Sequence, residues 1–372
     1  MEFIISLFKK IMTVLLIILI IIGVATLLFL NTERFGKHPS GERLLKIEQS
    51  PNYKKGSFQN LNHTPMLTEG VGYSKVLYQF LFSSKPKEPA IKIPSIKTDL
   101  KNLKPDENVL IWMGHSSYFI QLDGKTILVD PVLSGNASPL SFTTKAYNGT
   151  NIYTTDDIPT IDYLFLSHDH WDHMDYKTLK KLKPKIKNVI TGLGNGAHLE
   201  HWGFNQNIIL EGDWYDNFSF DDKFEVHITP ARHFSGRGFT RAKTLWASFV
   251  LKTPSKTIFI GGDSGYDSHF KEIGNKFGPF DLVILENGQY DNNWKYIHML
   301  PGEQLKAAND LNTTTILPVH AGKFTLANHD WDEPFINISN KKTETDIRII
   351  TPMIGENVNL KDSLQQFKNW WN

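Results

Sequence analysis

Residues 11–30 form an unbroken apolar run, free of charge and interrupted only by Thr13, Gly23 and Thr26. As a helix this run rises about 30 Å, the thickness of a bilayer core. Lys9 and Lys10 precede it, as in a signal peptide, but the run exceeds the roughly 7–15 apolar residues of a signal and no small-x-small cleavage site follows. It reads as an uncleaved, single-pass membrane anchor. Lys9 and Lys10 on one flank balance Arg34, Lys37 and Arg43 on the other, so charge does not choose the side of the membrane on which the rest of the chain lies.

From 31 to 105 periodicity is weak, and Ser50-Pro51, Lys85-Pro86 and Ile93-Pro94 punctuate turns. This stretch is expected to be a linker and surface-hugging extension, with 77–82 a helical turn or more packed on the domain or on lipid, the domain being the favoured reading. Strand patterning begins at 109–113, 118–122 and 126–130. Asp123-Gly124 between the last two is a hairpin turn, because both residues tolerate positive φ. Further strands are expected at 163–166, 188–191, 207–211, 225–229, 246–251, 257–260, 281–285 and 313–318, and helices at 175–182, after the glycine-rich turn 192–196, at 268–277 and from Pro301. Strands joined first by hairpins and later through helices imply stacked sheets covered by helices. The chain therefore divides into a short basic terminus (1–10), an anchor (11–30), an extension (31–105) and one α/β domain (106–372).

Charge and composition narrow the chemistry. With 40 basic and 39 acidic side chains there is no bulk field to attract nucleic acid. Cysteine is absent, which removes disulfides, thiolate ligands and cysteine nucleophiles together. Any metal site must be built from histidine and carboxylate.

Such residues concentrate in Ser167-His168-Asp169-His170-Trp171-Asp172-His173, between an apolar strand and a helix begun at Asp175. A strand-to-helix turn can aim His168 and His170 at one point and Asp172 and His173 at a neighbouring one. Imidazole and carboxylate suit zinc, iron and manganese alike. Three more candidates, His233, Asp263 and His320, each follow a strand, where residues distant in sequence can meet at one rim. Gly261 and Gly262 before Asp263 permit close backbone approach. His115 lies in the first connection and Asp130 ends the third strand; for His115 an ordinary turn residue bonded to backbone is the favoured reading.

With these residues, and with Trp112-Met113-Gly114-His115, the run from Pro230 to Arg237, Gly262-Asp263-Ser264-Gly265-Tyr266, Ile297-His298-Met299 and the run from Val319 to Phe324, the chain from about 108 to 334 resembles the metallo-β-lactamase-fold hydrolases. Within them it is similar to the branch of N-acylphosphatidylethanolamine-hydrolysing phospholipase D and related lactonases. The resemblance implies a four-layer αβ/βα sandwich with two divalent metals, most simply zinc, at one edge. His168, His170 and His233 look like ligands of the first ion, Asp172, His173 and His320 of the second, with Asp263 bridging. Trp171 and His298 match positions that contact substrate, tryptophan replacing the phospholipase's tyrosine. The anchor and the long extension also depart from that pattern.

Two ions about 3.5–4 Å apart can share a hydroxide and polarise an ester oxygen, so hydrolysis needs no protein nucleophile. Asp172 is placed to orient that hydroxide and take its proton. His298, if it points into the site, would bond a phosphoryl or leaving oxygen and is otherwise a helix-flanking surface residue; Trp171 would wall an acyl chain if exposed at the rim and is otherwise a core anchor under the metal loop; Arg232 and Arg237 would pair with phosphate or lie solvated. The leading expectation is a membrane-anchored phosphodiesterase of the phospholipase D type acting on a lipid or small-molecule ester. A metal-dependent lactonase or other ester hydrolase is the alternative, and a membrane-bound scaffold with structural metals stands outside enzymes. A β-lactamase is disfavoured by the resemblance, because Asp172 with Asp263 matches the phosphodiesterase and lactonase arrangement.

Overall fold

In the computed structural model, which describes residues 1–220 and 223–372, the apolar run extends toward the N-terminus into helix α1, Glu2–Leu30, with no buried residue. Helices α2 (Gly41–Glu48) and α3 (Tyr73–Phe82) and a small hairpin, Tyr53–Lys54 against Ser57–Phe58, lie within the extension.

The domain then builds strands β1 (Val109–Trp112), β2 (Tyr118–Leu122), β3 (Lys125–Val129), β4 (Ile161–Leu166), β5 (Ile186–Gly192) and β6 (Ile209–Gly212). They pair in the order β1-β2-β3-β4-β5-β6 within a 7-stranded sheet. Asp123 and Gly124 take φ of 49° and 78°, and Leu122 pairs with Lys125, so the expected two-residue hairpin closes β2 on β3. Helices α4 (Tyr176–Leu182) and α5 (Gly196–His201) connect the parallel strands that follow.

The second half repeats the scheme. Strands β7 (Asn217–Ser219), β8 (Glu225–Thr229), β9 (Ser248–Lys252) and β10 (Thr257–Ile260) pair antiparallel, and β11 (Leu282–Glu286), β12 (Thr315–Val319) and β13 (Arg348–Ile349) extend the sheet in parallel. Helices α6 (His269–Phe277) and α7 (Glu303–Asp310) make crossovers, α8 (Glu333–Asn340) follows β12, and β14 (Asn357–Asn359) returns to pair with β1.

Both faces of each sheet are buried, which is why the strands read as near-continuous apolar runs. Alternate residues of β2, Tyr118, Ile120 and Leu122, join Ile228, Phe249 and Ile260 of the other sheet in a central core. Phe119, Leu128 and Leu164 face outward to Leu179, Leu182 and Trp202. Phe259 and Val283 face outward to Phe270, Ile273 and Ala307. The layers are helix, sheet, sheet, helix.

The expected strands at 225–229 and 257–260 match β8 and β10 to the residue. The expected strand at 246–251 starts later, because Trp246 leaves the ladder to donate its indole N–H to Ala231 O (2.9 Å). The run 207–211 opens as a 3-10 turn capped by Asn205. Strands β7, β13 and β14 have two or three residues each, too few for a period to register.

The extension is tied to the domain by the two arginines flanking His233, neither of which is solvated. Arg232 donates to Thr64 Oγ1 and to the carbonyls of His63 and Tyr266 at 3.0–3.1 Å. Arg237 is buried: Nη1 donates to Asp169 O (2.7 Å) and Met174 O (2.8 Å), and Nε and Nη2 donate to Arg34 O. Its guanidinium stacks 3.9 Å from the Trp171 ring, and burial pushes its pKa down to about 10. Four carbonyl contacts need a planar fork, which an ammonium lacks. We expect Arg237→Lys to cost roughly 2–4 kcal/mol of stability through unmade charged hydrogen bonds. Urea unfolding of the full chain in detergent checks this, and a loss below about 0.5 kcal/mol, the size of an ordinary surface change, would remove the fork as the fastening.

Candidate metal centre

The candidate donors other than His298 lie just beyond, or at, the end of a strand on one rim. His115 follows β1, Asp130 follows β3, the histidine cluster follows β4, His233 follows β8, Asp263 follows β10, Glu286 closes β11 and His320 follows β12. His115, Asp130 and His320 hold φ of 55°, 40° and 66°, a left-handed conformation that is unusual for residues other than glycine. Backbone bonds lock two of these turns together: His115 N–H donates to Ala321 O (3.1 Å) and His320 N–H to His115 O (3.0 Å). Gly262, at φ 60°, lies so close to Ser167 and Ala247 that a Cβ would meet them at 2.8 and 3.0 Å.

These turns bring the donors into adjoining groups. His168, His170 and His233 form one; His115, Asp172, His173 and His320 form another; within each, ligand atoms lie within 4.8 Å of one another. Asp263 stands between them, with Oδ2 3.1 Å from His173 Nε2, 3.7 Å from His233 Nε2 and 3.9 Å from His168 Nε2, and Oδ1 3.1 Å from His320 Nδ1. All seven residues that the sequence singled out as ligands meet here.

The remaining ring nitrogens are largely spoken for. His168 Nδ1 lies 2.9 Å from Ser167 Oγ, His173 Nδ1 2.8 Å from Asp130 Oδ2, and His233 Nδ1 2.9 Å from Ile297 O. Each bond fixes a ring and turns Nε2 toward the centre. His320 Nδ1 also meets Ser116 Oγ at 2.8 Å. Asp130 accepts from Ser167 N–H and Oγ as well, so a residue that the sequence marked only as a strand end organises the turn.

Burial pushes His168, His233 and His320 well below the ordinary imidazole pKa, which keeps them in the neutral form that ligates metal. Burial alone would raise the Asp172 and Asp263 carboxyls, but the surrounding histidines together outweigh it, His173 and His115 at Asp172 and His173, His320 and His233 at Asp263, and both are held anionic. Among the described residues, His173 Nε2 and Asp263 Oδ1 make no hydrogen bond of acceptable geometry despite their close neighbours. Two buried donor atoms left unbonded in a group made wholly of imidazole nitrogen and carboxylate oxygen fit divalent cations.

His115 is no ordinary turn residue: it is fully buried and its Nε2 sits 2.9 Å from Asp172 Oδ2. A polar residue after a strand on the same rim as the other donors was the signal available in the sequence. Glu286 gave less signal, lying inside an apolar strand; it is buried, and its Oε2 is 2.8 Å from His298 Nδ1. Burial would lower the His298 pKa, but that carboxylate raises it.

The cluster floors a cavity of about 570 Å³. His170, Asp172, His233, Asp263, His298 and His320 line one side; Met66, Leu67, Tyr73, Val76, Leu77 and Phe80 of the extension line another, with Arg241 and Phe234. Trp171 is not among the lining residues. It borders a separate recess with Arg34 and Tyr176, edge-on to Phe35 at 5.1 Å, and so braces the back of the metal turn against the segment that follows α1. This corrects its expected place as an acyl-chain wall.

A family model described as beta-lactamase superfamily domain matches residues 125–321, more than half of the chain. The chain belongs to the β-lactamase superfamily. An uncharacterized protein of Mycobacterium tuberculosis is 33% identical over 329 residues, covering 87% of this chain and 88% of that protein. The N-acyl-phosphatidylethanolamine-hydrolyzing phospholipase D 1 of Caenorhabditis elegans is 28% identical over 237 residues, 59% of this chain and 65% of that one. A metallo hydrolase of Ignicoccus hospitalis shares the fold, with a TM-score of 0.51 at 20% identity over 68% of this chain and 97% of its own. Superfamily membership makes the chain a metal-dependent hydrolase whose His/Asp groups could hold its ions.

Asp263 touches both groups, so its loss should be felt in both. We expect Asp263→Ala to release bound metal and lower the melting temperature together, since metal binding is linked to folding. Elemental analysis and thermal unfolding check this; full metal retention would show that Asp263 does not join the two groups.

Proposed function

We propose that the chain is a membrane-anchored, dinuclear zinc phosphodiesterase of the N-acylphosphatidylethanolamine phospholipase D type. One observation carries this reading: the His/Asp cluster floors a cavity walled by the apolar side chains of α3, pairing a polar reaction centre with a surface for hydrocarbon. Arg241 adds a cation at the rim, suited to an anionic diester. The relative from Caenorhabditis elegans supports the choice of electrophile. The long apolar α1 supports the anchor.

His168, His170 and His233 would hold one ion, Asp172, His173 and His320 the other, and Asp263 both. When bound, the pair would supply Lewis-acid polarisation of the ester and acidify water at the site. The protein's own groups handle the protons. Asp172 is fixed by His115 through one oxygen, leaving the other to accept the proton of the attacking water. His298, tied through Nδ1 to Glu286, keeps Nε2 for the leaving oxygen.

Metal analysis of the purified full chain, followed by parallel assays on phosphodiester, phospholipid and lactone substrates, tests the reading. The expected result is two ions per chain and phosphodiester turnover. Turnover of lactones alone would make it an ester hydrolase, and bound metal without turnover a scaffold.

Asp172→Asn is nearly isosteric but cannot take up a proton. We expect kcat to fall by about 10²–10⁴ with KM little changed, the range for loss of a positioned general base. Kinetics on samples matched for metal content check this; turnover within about threefold of the unmodified chain, well short of a general-base effect, removes Asp172 as the acceptor.

A further inference from the structure

Helix α3 carries seven apolar or aromatic residues against Ser74, Lys75 and Gln79, yet none of its residues is buried. Tyr73, Val76, Leu77 and Phe80, at i, i+3, i+4 and i+7, form one face and wall the cavity. The other side presents Tyr78, Leu81 and Phe82, which are 65%, 62% and 70% exposed. Contiguous exposed apolar surface of this kind marks a place of docking.

The path of the chain indicates what docks there. The last turn of α1 touches the domain where Leu30 lies against Gly238, and Phe29 packs edge-on to Phe35 of the extension at 5.2 Å. Three residues beyond Gly238, Arg241 lines the cavity and donates to Met66 Sδ (2.8 Å). Three residues span at most about 10 Å, so the end of α1 and the cavity rim are neighbours. Between them Phe239 is 85% exposed. Charge agrees with a lipid surface: from Met66 to Lys87 the only acid is Glu69, against Lys75, Lys85 and Lys87.

We propose that α3 and Phe239 insert into the interfacial layer of the bilayer that α1 spans, so that the cavity opens onto lipid. An amphiphilic ester then enters from the membrane, its acyl chain along Tyr73, Val76, Leu77 and Phe80 and its head at the ligand cluster. This rests on the anchored-hydrolase reading and adds to it the route by which substrate arrives. Apolar helices flanked by lysine bind interfaces in this way.

The chain has no cysteine, so Leu81→Cys, Phe239→Cys and, as a control at an 80% exposed position, Leu364→Cys give single labelling sites in the full-length protein. Each is labelled with an environment-sensitive fluorophore and reconstituted in phosphatidylcholine–phosphatidylglycerol vesicles carrying nitroxide lipid. Labels at 81 and 239 should be quenched at least about threefold more than the label at 364, as expected for side chains seated among headgroups. Equal quenching at all three overturns the proposal. Disulfide-linked dimers of the unlabelled Leu81→Cys protein under an added thiol oxidant, with no quenching of its labelled form, would put a second copy of the chain there instead, and overturn it too. In a second arm, Leu81→Glu with Phe82→Glu, neither of which lines the cavity, should lower turnover of a vesicle-embedded long-chain phosphodiester roughly tenfold or more while a water-soluble short-chain phosphodiester stays within about twofold. Equal loss on both substrates counts against lipid docking. If the unmodified chain turns over neither, the reaction class fails, and the quenching alone decides the docking surface.

Discussion

Bringing several imidazoles and two carboxylates to one point, away from water, is the demand on which the rest of the structure depends. Each buried ion costs several kcal/mol unless it is paired. Asp172 and Asp263 meet this cost against His173, whose pKa rises despite burial because Asp263, Asp172 and Asp130 surround it. Such crowding is tolerable only where backbone fixes each group. The two sheets supply that by ending their strands on one rim, and the positive φ values of His115, Asp130 and His320 show the backbone bent to the task.

Behind the donors, a second set of contacts decides which atom each presents. Ser167, Asp130 and Ile297 O take the Nδ1 atoms of His168, His173 and His233. Asp169 is turned away from the donors: it accepts from Gly236 N–H and lies 3.1 Å from His198 Nε2, while His198 Nδ1 accepts from Lys37 N–H (3.0 Å). The segment after α1 is thus fastened to the back of the metal turn. The extension is likewise part of the site: Asn60 bonds the backbone of His233, and α3 walls the cavity. The segment after α1, the extension and the ligand cluster form one connected piece.

Much of this was legible in the sequence wherever the cause is local. An apolar run marks α1 and its end at Leu30, Asp123-Gly124 sets a hairpin, and Asp175 caps α4 by accepting from Lys177 N–H. The density of His and Asp in 168–173 marked the centre, and single donors after strands marked its remote members. These signals survive because each depends on near neighbours in the chain. Resemblance assigned the seven donors to two sites.

Only the tertiary structure decided the roles set by distant contacts. His115 meets Asp172 across 57 positions and Ser116 meets His320 across 204, so no local pattern told a ligand-holding histidine from a turn residue. Glu286 sits in a strand whose apolar neighbours concealed it, and Arg232 and Arg237 were ambiguous until their carbonyl partners were in view. Trp171 shows the same limit in one residue. Its position inside the cluster suggested the substrate side, but side chains on a tight turn point in opposing directions, and packing against Phe35 and Arg237 turned it to the back. Spacing in the sequence fixes which groups can be near one another; the direction each one faces is set by what packs behind it.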